Sequence, residues 1–199
     1  MKIKAILFDM DGVLVDSVDA WFKLFNITLK YFGKKEMTKK EFLSKVWGGP
    51  IERDARVYFG KTVDEVKKFY FDNFDEFKKN LKLFLDTKET LSELRKKGLK
   101  LGLVTNTPKE QAYALIDYVG LRKYFDKIVC GDEVEHGKPE PDLLIECCKR
   151  LKTGIKDIIF VGDAKVDKEA ARKAGSYFVG FKIDGDKRIS GLKELLEMV

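Results

Sequence analysis

The stretch Ile6-Leu7-Phe8-Asp9-Met10-Asp11-Gly12-Val13-Leu14-Val15-Asp16-Ser17 decides the fold of this chain. Its apolar start reads as a buried strand, and two aspartates follow at i and i+2. Side chains two apart in a nearly extended chain point to the same side. Asp9 and Asp11 therefore project together from the carboxyl end of a strand, the edge at which open α/β sheets bind ligands. Gly12 lets the chain turn sharply behind them. Carboxylates this close repel unless a cation lies between them or one keeps a proton.

Outward from this point, apolar runs rich in β-branched and aromatic residues recur at 2–8, 100–104, 127–129, 158–161 and 177–181, with helical patterns between them. This alternation predicts an α/β core, a Rossmann-like parallel sheet with helices on both faces. Thr107-Pro108-Lys109-Glu110 reads as a helix start with Thr107 as its cap. Pro139 and Pro141 introduce the next helix, and Gly98 and Gly175 stand where helices end.

Between the first two strands the pattern breaks for about seventy residues, far more than a crossover needs, which implies an inserted domain. The insert is helical: Trp21, Leu24, Phe25, Leu29 and Phe32 keep helical spacing, as do Val63, Val66, Phe69 or Tyr70, Phe74 and Phe77. Thr38 with Glu41, and Thr62 with Glu65, form capping boxes. Residues 17–84 hold 15 of the 24 aromatic residues, as the core of a small bundle requires. The expected division is a core of residues 1–15 and 85–199 with a small helical cap domain at 16–84. Asp16-Ser17 and residues 83–86 would be its hinges.

With 199 residues, 44% hydrophobic and 36% charged, the chain is globular. No apolar run approaches the roughly 18–20 residues that cross a bilayer. Met1 to Phe8 carry Lys2 and Lys4 and run into Asp9, a strand rather than a signal segment, so a soluble, cytoplasmic protein is expected. The lone histidine, His136, and three cysteines without a CxxC spacing argue against zinc, a disulfide scaffold or a histidine-rich metal site. Catalysis is thus expected to run on carboxylates. Of the net charge of +6, residues 17–84 carry +5, spread among acidic residues as on a solvated surface. One Gln and four Asn beside a heavy Lys and Glu load suggest a heat-adapted source.

Three later features raise the weight of the aspartate pair. Val104-Thr105-Asn106 puts a hydroxyl at the end of the second strand. His136-Gly137-Lys138-Pro139 places a lysine in a loop before a helix. Val161-Gly162-Asp163-Ala164-Lys165-Val166-Asp167 ends the fourth strand with two aspartates, which share a helix face if the helix starts at Asp163. Taken singly these are a strand-end polar residue, a surface lysine and an N-cap. Falling in order at successive strand ends, they converge on one pocket. Such carboxylates favour a hard cation with oxygen ligands, Mg²⁺ above all. Cation, lysine and hydroxyl together suit a phosphoryl group, which one carboxylate could attack while another handles the proton.

The set DMDGVLVDS, VTNT, GKPEPD and GDAKVDKEAARKAG resembles the four motifs of the haloacid dehalogenase superfamily. More narrowly it resembles the phosphatases with a helical cap after the first motif, of the phosphoglycolate phosphatase and β-phosphoglucomutase kind. The resemblance implies a Mg²⁺-dependent phosphatase of small phosphorylated metabolites, with Asp9 as nucleophile and Asp11 as general acid/base. It further implies that Thr105, Asn106 and Lys138 bind the phosphoryl group. Asp9, the backbone carbonyl of Asp11, Asp163 and Asp167 would hold the metal, Asp167 directly or through water. The dehalogenases lack the second aspartate, so Asp11 favours phosphoester chemistry. One departure is Ala164, where many relatives carry Ser or Thr.

The loop Trp47-Gly48-Gly49-Pro50 is the expected cap surface facing the site, with Arg53 and Lys45 within reach of an anionic substrate. Trp47, Gly48 and Arg53 are the candidate specificity residues, and His136 is placed at the entrance. A phosphomutase of the same architecture is the nearest alternative. A receiver-type signalling domain would lack the helical insert and have adjacent acidic residues. A non-catalytic phospho-acceptor, binding or nucleic-acid module leaves the acidic and basic constellation unexplained. No nucleic-acid or membrane partner is expected, and a monomer suffices because one chain supplies the whole site.

Overall fold

The computed structural model describes residues 3–199, so Lys2, which the sequence pattern puts in the first strand, lies outside the described residues, as does Met1. The chain opens with β1 (Ala5–Phe8) and β2 (Val15–Asp16). Five helices follow: α1 (Val18–Tyr31), α2 (Lys39–Lys45), α3 (Ile51–Asp54, continued by a π-helical turn over Ala55–Phe59), α4 (Val63–Asp72) and α5 (Phe74–Lys78). After β3 (Lys82–Leu83) come α6 (Thr87–Lys96), β4 (Lys100–Thr105), α7 (Lys109–Tyr118), β5 (Lys127–Cys130) and α8 (Asp142–Leu151). The chain continues through β6 (Ile158–Gly162), α9 (Lys165–Ala174), β7 (Tyr177–Phe181) and β8 (Lys187–Ile189).

Six strands form one parallel sheet in the order β5-β4-β1-β6-β7-β8. Their alternation divides the core in two. Ile6 and Phe8 pack with Leu91 and Leu94 of α6 and Leu115 and Ile116 of α7. Ala5 and Leu7 pack with Leu143, Leu144 and Cys147 of α8 and Ala170 and Ala171 of α9. Helices thus cover both faces, the Rossmann-like arrangement expected. The three cysteines are buried and unpaired, and burial pushes the Cys130 thiol up to about 12. Strand β8 has no counterpart in the sequence reading, because Lys187 and Arg188 are exposed and only Ile189 is buried.

The helices between β2 and β3 pack around an aromatic core. Phe25 lies 4.8 Å from Phe59 and Trp21 4.5 Å from Phe77, centroid to centroid. Both capping boxes form. The apolar period from Val63 to Phe77 is carried by two helices, with Asn73 between them donating its side-chain N–H to the Phe69 carbonyl. Antiparallel β2 and β3 pair Val15 with Leu83 and Asp16 with Lys82, so the returning strand begins before the expected residues 83–86. Thr107 is a further correction. Helix α7 begins at Lys109 behind Pro108 with no side-chain cap, and the Thr107 hydroxyl is used elsewhere.

Candidate active site

The sheet order reverses at β1, which has β4 on one side and β6 on the other. Chains leaving their carboxyl ends diverge there and open a crevice. Asp9 follows β1, Thr105 ends β4 and Asp163 follows β6, so register alone brings them together. Asp9 is 4% exposed, and its Oδ1 accepts from the Met10 N–H at 2.8 Å. Gly12 turns the chain with φ 77°, and a Cβ there would lie 2.0 Å from Asp163 Oδ2.

Lys138 reaches in from the loop before α8. Its Nζ, buried, lies 2.8 Å from Asp9 Oδ1 and 2.7 Å from Asp167 Oδ1. Helix α9 starts at Lys165 rather than at Asp163, so Asp163 precedes the helix and Asp167 sits in its first turn. The Asp167 Oδ2 accepts from the Ala164 N–H at 2.9 Å, taking up a free donor of the helix start. Thr105 Oγ1 accepts from the Thr107 N–H at 3.1 Å, which leaves its own O–H free to donate.

Asp11 is held apart from this cluster. Its Oδ1 accepts from Ser17 Oγ at 2.6 Å and Trp21 Nε1 at 2.7 Å, and its Oδ2 from Thr107 Oγ1 at 3.3 Å. Burial nevertheless lifts its carboxyl above the usual range, against these donors. As a metal ligand it is left with its backbone carbonyl. Ser17, Trp21 and Thr107 escaped the sequence reading, since nothing in their spacing ties them to Asp11.

Asp9, Asp163 and Asp167 each offer an oxygen within 4.8 Å of the others. One ammonium, that of Lys138, stands against these three carboxylates. Burial raises Asp9 well above the usual carboxylate range despite Lys138, and the Asp167 and Asp163 charges add to it. Burial and the Asp167 charge push Asp163 up to about 7. Asp163 Oδ1 is buried without a hydrogen-bond partner among the described residues. Excess negative charge, an oxygen-only donor set and an orphaned acceptor fit a hard divalent cation.

The loop after α2 closes over this edge. Trp47 Nε1 donates to Asp163 Oδ2 at 2.9 Å, and Asn106 Nδ2 donates to the Gly48 carbonyl at 2.8 Å. Gly48 has φ 76° and packs on Ala164, where a Cβ would come within 2.9 Å. The alanine in the fourth motif thus gives this loop a small, flat seat.

The expected contacts of Asn106, Arg53, Lys45 and His136 are corrected. Asn106, read as a phosphate binder, donates its other amide hydrogen to the Lys138 carbonyl at 2.9 Å and accepts from the Lys138 N–H at 2.7 Å. Its side chain has no donor left and acts as a clamp between loops. Arg53 turns from the pocket, paired with Asp54 and bonded to a backbone carbonyl. It donates to Asp54 Oδ1 at 2.7 and 3.0 Å and to the Val46 carbonyl at 2.8 Å. Arg53 and Lys45 line a second groove beyond Trp47, which also reaches Asp163. His136 also lies off the pocket lining, with Nδ1 3.4 Å from Asp142.

The pocket contains polar residues that the sequence did not single out, notably Asp54, Tyr70 and Gln111. Burial pushes Asp54 up to about 6 despite Arg53. A carboxyl raised in the folded state prefers its proton there, so its ionisation costs stability above pH 6 and costs nothing below its unfolded value near 4. Asp54→Asn removes that cost. Relative to the wild type, the variant should gain up to about 3 kcal/mol between pH 4 and pH 8. Thermal or denaturant unfolding at the two pH values checks this, and an equal difference at both contradicts it.

Residues 6–181 match the family model described as haloacid dehalogenase-like hydrolase. The chain is 30% identical over 185 residues to a phosphorylated carbohydrates phosphatase of Thermotoga maritima, covering 87% of this chain and 82% of that protein. It is 30% identical over 203 residues to the phosphoglycolate phosphatase of Escherichia coli, covering 89% and 81%. Among solved structures, a Bacteroides fragilis chain assigned to the haloacid dehalogenase-like hydrolases superposes with a TM-score of 0.86 at 27% identity, covering 98% and 100%. No described helix is long and apolar enough to cross a membrane.

Proposed function

The chain belongs to the haloacid dehalogenase-like hydrolase family, and from that premise we propose a Mg²⁺-dependent phosphatase that works through an aspartyl phosphate on Asp9. Its substrate is a small phosphorylated metabolite, in keeping with the phosphatase names of its relatives. The observation that carries this reading is the separation of two carboxyls on one turn. Asp9 lies against Lys138 inside the acidic cluster, whereas Asp11 is held outside it by hydroxyl and indole donors.

The Thr105 hydroxyl and the Lys138 ammonium bind the phosphoryl oxygens. Asp9 attacks phosphorus, and the bond from phosphorus to the leaving oxygen breaks. Asp11, its carboxyl raised by burial, gives its proton to that oxygen. Asp11 then takes a proton from the water that attacks the aspartyl phosphate, releasing phosphate and restoring Asp9. Asp9, Asp163, Asp167 and the Asp11 carbonyl would hold Mg²⁺, which would supply positive charge to offset that of the phosphoryl group. Residues 16–84 act as a cap that keeps bulk water from the intermediate.

Phosphate release from para-nitrophenyl phosphate tests the reading. Chelation with EDTA should abolish turnover and added Mg²⁺ should restore it. Turnover indifferent to both would refute the metal-assisted mechanism.

A further inference from the structure

The cavity that holds Asp9 continues towards the helical insertion, where its walls include Phe25, Phe42, Ile51, Asp54, Tyr70 and Gln111. One polar group there lacks the partner that burial demands, and a second presents an oxygen with no donor on it among the described residues. Gln111 of α7 is 5% exposed, and its side-chain oxygen is buried with no hydrogen bond among the described residues. Asp54 of α3 is 7% exposed and receives both of its Arg53 bonds on Oδ1, so Oδ2 meets no donor among the described residues. Both groups await hydrogen-bond donors.

The charge at this end of the cavity is equally one-sided. The Asp54 and Arg53 pair straddles the wall, with the carboxylate facing the cavity and the guanidinium in the groove beyond Trp47. Among the described residues the one lysine lining the cavity, Lys138, is engaged by Asp9 and Asp167. A second anionic group on a substrate would therefore be desolvated opposite a carboxylate with no cation to receive it. A hydroxyl suffers neither penalty and supplies the missing donors, while Phe25 and Tyr70 offer faces for the carbon skeleton.

Resting on the phosphatase reading above, we propose that Asp54 and Gln111 are specificity-determining residues that select an uncharged, hydroxyl-bearing leaving group. Phosphate esters whose leaving group carries a carboxylate or a second phosphate are rejected. Asp54 accepts a hydrogen bond from one substrate hydroxyl at Oδ2, and Gln111 accepts one from another at its amide oxygen. This assigns a function to a buried carboxylate that costs the fold stability.

The test compares kcat/KM for para-nitrophenyl phosphate, glycerol 1-phosphate and 2-phosphoglycolate, all with Mg²⁺. The last two are of similar size and differ in hydroxyls against a carboxylate. Glycerol 1-phosphate should be preferred over 2-phosphoglycolate by about 100-fold or more. Asp54→Asn should narrow that ratio by at least about 10-fold, chiefly by admitting 2-phosphoglycolate. Gln111→Leu should lower kcat/KM for glycerol 1-phosphate by about 10-fold, mostly through KM. Wild-type turnover of para-nitrophenyl phosphate with 2-phosphoglycolate equal or preferred would overturn the specificity while leaving the phosphatase reading intact. A ratio unmoved in both variants would overturn the assignment to these residues. No turnover of any of the three esters would bring down both readings.

Discussion

Asp9→Asn abolishes turnover, with phosphate release falling by at least about 10⁴-fold, while the fold survives. Asparagine keeps the size of the side chain and its acceptor for the Met10 N–H and for Lys138. It cannot attack phosphorus. Stability should not fall, because the substitution removes one of three crowded carboxylates while Lys138 keeps Asp167. The sign follows from the raised carboxyl of Asp9: its ionised form is the costly one in the folded protein, so neutral asparagine is favoured at neutral and higher pH. Single-turnover phosphate release and thermal unfolding read the two halves separately. Loss of activity together with loss of fold would contradict this account of the site.

Lys138→Met differs from Asp9→Asn in its effect on the fold. Here both activity and stability fall. The lysine is 1% exposed and bridges Asp9 and Asp167, so removing it leaves buried carboxylates without their cation. Breaking a buried pair from one side costs about 3–5 kcal/mol. Phosphate release should fall by about 10³-fold, because the fixed charge on the phosphoryl oxygens is lost. Added Mg²⁺ should raise the melting temperature of the variant by more than that of the wild type, since it binds the same acidic cluster. An unchanged melting temperature would show that the lysine does not balance these carboxylates.

What could be read from the sequence was set by strand ends. Asp9, Thr105 and Asp163 each follow or end a buried apolar run, and parallel pairing of β1 with β4 and β6 leaves them one place to meet. Lys138 was marked by its position between a glycine and a proline. The remainder depended on contacts between segments far apart in the chain. Thr107 has the pattern of a helix cap, yet its hydroxyl goes to Asp11, a partner 96 residues away. Asn106 stands beside the phosphoryl site, but loops from two other segments consume its amide. Arg53 looked available until Asp54, its neighbour in sequence, claimed it. Gln111 lies on a core helix and Asp54 at the end of a short helix of the insertion, with nothing in their spacing to join them, and only the packed insertion brings them to one cavity. Strand β8 was hidden because a charged edge strand with one buried residue has no apolar run to announce it.

The covalent intermediate on Asp9 can be reached by chemical trapping. An acyl phosphate is reduced by borohydride, whereas a free carboxylate is not. Wild-type enzyme quenched during turnover of para-nitrophenyl phosphate and treated with borohydride should carry homoserine at position 9 by peptide mass spectrometry, and none without substrate. Reduction at Asp11 instead, or no reduction at either position during active turnover, would contradict it.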